Sequence, residues 1–165
     1  MSTECLQNSH LRRARVIAEY QFGKGVGDHL FPEGCTFQFS TTGRLRQILY
    51  QNERLATLRA RDGRLTLSYR GAQRLASVLP APHYRVRVRE DIISFILQGK
   101  DVFAKHVMFA DDAIRAEDEV LVTGENDALL ATGQAVLGGS EMLAFKYGVA
   151  VKVRQGRESA CFQEE

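Results

Sequence analysis

Arginine residues alternate with apolar residues in the first half of this 165-residue chain. Three pairs are separated by one apolar residue: Arg44 and Arg46, Arg59 and Arg61, Arg85 and Arg87. Side chains two residues apart on a β-strand point to the same face, so each pair would place two guanidinium groups side by side. A guanidinium group is a planar fork of N–H donors that matches the oxygens of a phosphate. The spacing therefore indicates contact with a phosphate backbone.

The charge is divided unevenly along the chain. Residues 1–88 carry 14 Lys and Arg against 6 Asp and Glu, and residues 89–165 carry 8 against 14, although the net charge of the whole is only +2. Such asymmetry indicates two units with different surfaces, the first of which faces a polyanion. Two other interpretations of the basic half stay open, a solvated surface and a surface that docks an acidic protein.

Residue types that perform catalysis are present, but their positions do not favour it. Two acidic clusters, Asp111-Asp112 and Glu117-Asp118-Glu119, fall in expected turns, where carboxylates are solvated and lack the apolar pocket that acid–base catalysis uses. His106 lies on an expected strand, where it fits a ring that stacks on a base or bonds to the backbone better than a general base. Cys35 has no clear activating cation or helix N-terminus. We therefore expect no enzymatic activity.

Neither a metal nor a cofactor is expected. The three cysteines are odd in number and widely spaced, and the four histidines show no i, i+4 pairing. These features favour a reducing cytoplasm. No run approaches the ~20 apolar residues of a membrane span, and the N-terminal residues lack the apolar run of a signal peptide. We expect a cytoplasmic protein without membrane contact.

The first half of the sequence predicts a helix followed by a small sheet. Asn8 or Ser9 is expected to cap a helix over residues 10–22 that ends at Gly23. The glycines at 23, 25 and 27 follow this helix, which favours turns over a phosphate-binding loop. Period-two patterns predict four strands, over residues 36–39, 43–50, 54–60 and 65–69. A helix over residues 71–79 then stops at Pro80-Ala81-Pro82, the expected domain boundary.

The second half predicts a small mixed barrel with short helices at its ends. Strands are expected at 84–88, 102–109, 119–124, 129–137 and 148–154. Asp91 is expected to cap a helix that Gly99 closes, and Ser140 to cap another through Tyr147. The fold class is thus α+β, with a basic α+β domain at 1–82, a barrel domain at 83–155 and a frayed tail at 156–165.

The second half resembles a PUA domain, the small RNA-binding barrel of pseudouridine synthases and archaeosine transglycosylases. The resemblance rests on four segments in the family's order: residues 99–107, 118–122, 130–135 and 140–153. One departure is Glu117, where the family pattern usually has glycine before the aspartate. The resemblance implies binding of structured RNA.

The first half resembles the domain that precedes PUA in archaeal tRNA-guanine transglycosylases and archaeosine synthases. Residues 13–27 and 54–63 carry this resemblance. The large barrel that exchanges the base in those enzymes is missing from the 165 residues, so we expect a free-standing, archaeal version of their RNA-binding tail. The alternative is an accessory subunit that supplies RNA binding in trans to a catalytic tRNA-modification subunit, a tRNA-guanine transglycosylase or an archaeosine synthase.

The PUA resemblance implies RNA contacts in the first helix, the glycine-containing loop after it, the following strand and the last strand. Carried over, these are Gly99, Lys100, Val102, Phe103, Lys105, His106, Gly148, Val149, Ala150 and Lys152. Arg44, Arg46, Arg59 and Arg61 would add phosphate contacts, which Arg85 and Arg87 extend. The expected partner is RNA, tRNA at its acceptor region, and no DNA is expected.

Overall fold

The computed structural model describes residues 3–161, which fall into two compact units that divide between Leu79 and Pro80. Both units contain helices and strands, so the α+β prediction is confirmed. In the described part of the chain, no helix is long and apolar enough to cross a membrane. The same residues hold no group of three or more His, Cys, Asp or Glu side chains that could ligate a metal ion.

The first unit packs three helices against a four-stranded antiparallel sheet with strand order β1-β2-β3-β4. Its elements are α1 (Thr3–Phe22), α2 (Gly27–Leu30), β1 (Thr36–Phe39), β2 (Leu45–Tyr50), β3 (Glu53–Leu58), β4 (Leu65–Leu67) and α3 (Tyr69–Val78). The apolar stripe of α1 is buried, as its spacing predicts. The four strands occupy the predicted segments, and each end differs from its predicted bound by at most a few residues.

A buried glutamine joins α1 to the sheet. The side-chain amide of Gln21 donates from Nε2 to the carbonyl oxygen of Leu65 at 2.9 Å, and the N–H of Leu65 donates to Gln21 Oε1 at 2.7 Å. One side chain therefore satisfies both backbone groups of a strand residue. Buried backbone groups without partners are costly, so this contact fixes the position of the helix on β4.

The second unit is a six-stranded mixed sheet that curls into a nearly closed barrel, with strand order β6-β10-β9-β8-β5-β7. Its strands are β5 (Arg85–Val88), β6 (Val102–Phe103), β7 (Val107–Ala110), β8 (Glu119–Thr123), β9 (Leu129–Ala135) and β10 (Val149–Gly156). Its α-helices are α4 (Ile93–Leu97), α5 (Gly139–Ala144) and α6 (Arg157–Cys161). β5 and β8 pair in parallel, and the other pairs are antiparallel. Aliphatic residues of these strands and helices form one core.

The last part of the chain is ordered where the sequence indicated a frayed tail. β10 runs to Gly156, and α6 follows it directly. At Gly156 an added Cβ atom would lie 2.3 Å from the carbonyl oxygen of Leu97, so only glycine lets the end of β10 approach α4 this closely. The expected tail residues 162–165 lie outside the described part.

Four local predictions about helix starts and strand continuity are wrong. α1 already includes Asn8 and Ser9, so neither caps it. α5 begins one residue before Ser140, and the Glu141 carboxylate accepts from the N–H of Gly138 at 2.8 Å in place of a serine cap. The predicted strand 102–109 is broken by a 3₁₀ turn at Ala104–His106, and Asp91 lies inside another such turn, Glu90–Ile92.

We predict that Gln21→Ala lowers the free energy of unfolding of the first unit by about 2–4 kcal/mol, because two buried backbone groups of Leu65 lose their partners. Urea denaturation followed by circular dichroism measures this change. The matched control is Gln73→Ala, which removes the same side chain from an exposed position on α3 and should change stability by less than about 0.5 kcal/mol. Equal destabilisation by the two variants would contradict the role assigned to Gln21.

Candidate nucleic-acid interface

Four arginines converge on one open groove of the first unit, with a volume of about 450 Å³. The lining cations are Arg13 on α1, Arg44 and Arg46 at the start of β2, and Arg59 just after β3. We call this site the arginine groove. Arg13 was missed by the sequence analysis, because its neighbours in the groove are far away along the chain and no local pattern connects them.

Two turns, one before β2 and one after β3, form part of the groove's wall. The N–H of Arg44 donates to Ser40 Oγ at 3.1 Å, and the N–H of Ser40 donates to the carbonyl of Arg44 at 2.8 Å, which closes the turn before β2. The turn after β3 is closed by two backbone bonds at 2.9 Å: the N–H of Arg59 donates to the carbonyl of Arg64, and the N–H of Gly63 donates to the carbonyl of Arg59. Both turns hold their arginine backbones rigidly, whereas the side chains can adjust to an anion.

The groove keeps most of its positive charge. Arg59 forms a salt bridge with Asp62 at 3.0 Å. Desolvation acts to raise the pKa of Asp62, but the Arg64 N–H and the nearby guanidinium groups outweigh it and hold the pKa below its ordinary value. Asp62 therefore stays anionic and offsets Arg59. Among residues 3–161, no carboxylate forms a salt bridge with Arg13, Arg44 or Arg46, whose charges remain available to a ligand.

Of the four arginines predicted in this domain, Arg61 is the one outside the groove lining. Its side chain is exposed and lies 3.7 Å from the Asp62 carboxylate, on the turn between β3 and β4.

A second candidate surface lies on the second unit where β6 meets the start of β10. Phe103 is the register partner of Val149, and the N–H of Ala104 donates to the carbonyl of Gly148 at 2.9 Å. Phe103, Lys105 and Gly148 are exposed, and Phe103 keeps 46% of its surface in contact with solvent. We call the surface formed by Lys100, Phe103, Lys105 and Gly148 the glycine-loop face.

The loop that carries Lys100 is held at both ends. Gly99 has φ +94° and ends α4, where its N–H donates to the carbonyl of Ile96 at 2.9 Å. Asp101 Oδ1 accepts from the N–H of Val153 on β10 at 2.9 Å. Gly99 itself is half-buried, and the side on which a Cβ atom would stand faces Ser159 of α6. Lys100 therefore projects from a fixed loop, whereas Gly99 serves the packing of that loop.

Other members of the predicted set have different environments. Val102 and Ala150 are fully buried core residues, and Val149 is half-buried, whereas Lys152 is exposed on β10. Arg85 does not share an exposed face with Arg87: its side chain is only 5% exposed, and Nε donates to Asp127 Oδ1 at 2.8 Å. Arg85 is withdrawn from solvent because its guanidinium is held by Asp127 and, through NH1, by the carbonyl of His83.

Two exposed aromatic residues beside the glycine-loop face were missed. Phe145 and Tyr147 lie between α5 and Gly148, and Tyr147 is 88% exposed. The sequence analysis placed both in a helix through Tyr147, but α5 ends at Ala144. The sequence signal that would have indicated Tyr147 is the glycine that follows it, because glycine commonly ends a helix and starts a turn.

His106 is half-buried beside the glycine-loop face. It lies in the 3₁₀ turn, not on a strand, and its Nδ1 atom is buried with no hydrogen-bond partner. Burial lowers the pKa of its imidazole and the Lys105 cation lowers it further, against an opposing effect of Asp91. The ring is therefore neutral at pH 7.

The acidic clusters are used in structural contacts. Asp111 accepts from the N–H groups of Tyr84 and Ala113, which closes a turn. Asp118 accepts from the N–H of Arg115 at 2.9 Å, and the buried Glu119 forms a salt bridge with Arg154. These carboxylates hold strands and turns together.

Comparison with known families assigns both halves. Residues 12–82 match the model described as the patch-forming domain C2 of tRNA-guanine transglycosylase, and residues 84–157 match the PUA domain. The chain is 52% identical over 146 residues to a tRNA-guanine(15) transglycosylase of Pyrococcus abyssi, with 88% of this chain and 25% of the relative covered. A relative of the same name from Methanothermobacter thermautotrophicus is 44% identical, with 88% and 22% covered. The chain thus spans about a quarter of the length of the curated relatives it matches.

Solved structures support the same fold. A hypothetical protein of Pyrococcus horikoshii has a TM-score of 0.72 at 22% identity, with 94% of each chain covered. A conserved PUA domain protein of Thermoplasma acidophilum has a TM-score of 0.62 at 21% identity, with 90% of this chain and 89% of that chain covered. The architecture is therefore found in other chains of similar length.

We predict that His106 titrates below its ordinary pKa of about 6.5 in the folded protein. Because the unfolded chain then takes up more protons on acidification, the stability contribution of His106 is present above pH ~6.5 and is lost as the pH falls through the folded pKa. An NMR titration of the imidazole signals measures the midpoint. Lys105→Ala should raise it and the control Lys152→Ala should not; a midpoint above 6.5 would refute the assignment.

Cys35 should be the least reactive thiol of the chain. Burial raises its pKa to about 11, against the smaller effects of Arg74 and Arg15. At pH 8 only about one molecule in a thousand then carries the thiolate that reacts. With Cys5 and Cys161, both exposed, replaced by serine, Ellman's reagent should label Cys35 only on unfolding. Rapid labelling of the folded variant would contradict this.

Proposed function

Because residues 12–82 belong to the C2 domain family of tRNA-guanine transglycosylases and residues 84–157 belong to the PUA family, we propose that this chain binds tRNA at its acceptor region, in connection with tRNA modification, without chemistry of its own. The observation that carries the proposal is the arginine groove. It lies in the domain that the chain shares with enzymes named for tRNA.

The arginine groove provides the electrostatic part of the binding. Three of its guanidinium groups have no carboxylate partner among the described residues, and an open groove leaves room for a phosphate backbone to lie along it. Contacts of this kind position an RNA duplex and contain little sequence information. They also release counterions, which makes the affinity depend on salt.

The glycine-loop face provides a site for unpaired nucleotides. Phe103 offers an exposed ring on which a splayed base can stack, as unpaired RNA bases commonly do on aromatic side chains. Lys100 and Lys105 lie close by in sequence and are exposed, so they can contact the phosphates of the same strand. The single-stranded 3′ end of a tRNA has both features that this surface requires.

A second candidate function is that of an accessory subunit which supplies RNA binding to a separate catalytic subunit. The name of the relatives favours it. They are named as transglycosylases, and this chain corresponds to about a quarter of their length. Affinity for tRNA that rises strongly when a catalytic subunit is added would support this function over independent binding.

We predict that Arg13→Ala, Arg44→Ala and Arg46→Ala in one variant weaken tRNA binding and reduce the slope of log K against log salt by about 0.9 for each phosphate that the variant no longer neutralises. Fluorescence titrations at several salt concentrations measure both. The matched control replaces three exposed arginines outside the groove lining, Arg12, Arg54 and Arg70, and changes the net charge equally. Equal slopes for the two variants would refute the groove as the RNA surface.

We also predict that tRNA lacking its single-stranded 3′ end binds more weakly, and that Phe103→Ala removes this difference, because a stacked base contributes about 1–3 kcal/mol. The control Phe39→Ala removes an aromatic ring of the same 46% exposure from the first unit and should preserve the difference. Binding that ignores the 3′ end in the unaltered protein would exclude acceptor-end recognition.

A further inference from the structure

A pocket on the second unit lies apart from the glycine-loop face. It has a volume of about 400 Å³ and is formed by β5, β7 and the turn between β8 and β9. Its main lining residues are Arg85, Arg87, Phe109, Gly124, Glu125 and Asp127. None of the residues of the glycine-loop face lines it, and that face is carried by β6 and β10, which contribute no lining residue to the pocket. We call this site the hairpin pocket.

Hydrogen bonds define the shape of the hairpin pocket. The turn that forms its rim is closed by backbone bonds from Gly124 to Ala128 at 3.0 Å and from Asp127 to Gly124 at 3.2 Å. Arg85, buried beneath, donates from Nε to Asp127 and from NH1 to the carbonyl of His83. The volume is within the range of ~300–1,000 Å³ that small-molecule sites occupy.

One wall of the pocket is a stacking platform. The Cζ atom of Arg87 lies over the Phe109 ring, 5.6 Å from its centroid. Arg87 is an exposed residue. Unpaired RNA bases stack on guanidinium planes as well as on aromatic rings, so the pocket has the surface that a planar base needs.

The charges of the pocket favour a neutral ligand over a phosphate. Its two arginines are matched by two carboxylates, Glu125 and Asp127, and a phosphate entering it would meet both. A carboxylate accepts hydrogen bonds, and its two oxygens suit a pair of adjacent N–H donors. Among the four RNA bases, guanine presents two adjacent N–H donors on its Watson–Crick edge, at N1 and at the exocyclic amine.

From these contacts we propose that the hairpin pocket binds an unpaired guanine base of RNA. The base stacks on the Arg87 guanidinium and donates its Watson–Crick edge to the Glu125 carboxylate on the rim. This inference rests on the proposed function of RNA binding and adds a base-specific subsite to it, separate from the phosphate contacts of the arginine groove.

The test is an NMR titration of the ¹⁵N-labelled full chain with the 5′-monophosphates of guanosine, adenosine, cytidine and uridine, and with inorganic phosphate alone. We expect guanosine monophosphate to shift the amide signals of Gly124 and Asp127 saturably, with at least 5-fold higher affinity than the other three. Phosphate alone should leave these signals in place. No saturable shift, or equal affinity for all four nucleotides, would overturn the proposal.

Variants separate the two contacts. Arg87→Ala and Arg87→Lys should both weaken guanosine monophosphate binding at least 5-fold, because lysine keeps the charge but lacks the planar group. Glu125→Gln should reduce the preference for guanosine over adenosine monophosphate. The control Arg89→Ala removes an exposed arginine outside the pocket lining and should change the affinity less than 2-fold. Unchanged affinity in Arg87→Lys would refute stacking on the guanidinium.

This titration contains no tRNA, so its outcome is independent of the test of the proposed function. If the nucleotides fail to bind while tRNA binding still responds to the arginine-groove variant, the hairpin pocket is refuted and the proposed function stands. If the nucleotides bind and tRNA does not, the proposed function is refuted.

Discussion

The side-chain amide of Gln21 links α1 to β4, because it forms hydrogen bonds with both the N–H and the carbonyl of Leu65. These are the same two backbone groups that a neighbouring strand would bond to. This contact holds the helix at one place on the sheet and therefore determines what the helix can reach. Arg13 lies eight residues earlier on α1, about two turns away, and it enters the arginine groove beside residues of β2 and β3. The position of a surface cation thus depends on a buried polar contact.

In the second unit, buried charged side chains join the elements of the fold, as the buried amide of Gln21 does in the first. Arg85 with Asp127 and Arg154 with Glu119 are pairs in which one partner is buried and the other is more exposed. Removing one member of such a pair leaves a buried charge without compensation, which is costly. These pairs connect β5 to the turn after β8, and β8 to β10. The first pair therefore holds the turn at the rim of the hairpin pocket, and the second fixes the start of β8 against β10.

The sequence predicted the features that depend on local patterns and missed those that depend on distant partners. The period-two patterns and turn residues of the first unit predicted its four strands, because turn residues mark the strand ends locally. The 3₁₀ turn at Ala104–His106 was missed because Val102 and Ala104 are buried with exposed residues after each, so the period of two continues into the turn. Arg85 was misplaced because its partner, Asp127, lies 42 residues further along the chain.

Glu117 replaces the glycine usual in PUA domains and still has φ +73°, so the turn keeps its backbone form despite the change.

The close packing of Gly156 against α4 sets a practical limit on how the barrel can be divided or extended. The carbonyl of Leu97 and the N–H of Gly99 lie where any side chain at position 156 would be, and Ser159 Oγ accepts from the Gly156 N–H at 2.8 Å. A shortened version that stops at Arg154 would expose the underside of the loop that carries Lys100. Affinity tags and fusion partners for this domain therefore belong beyond Cys161, where α6 has finished covering that loop.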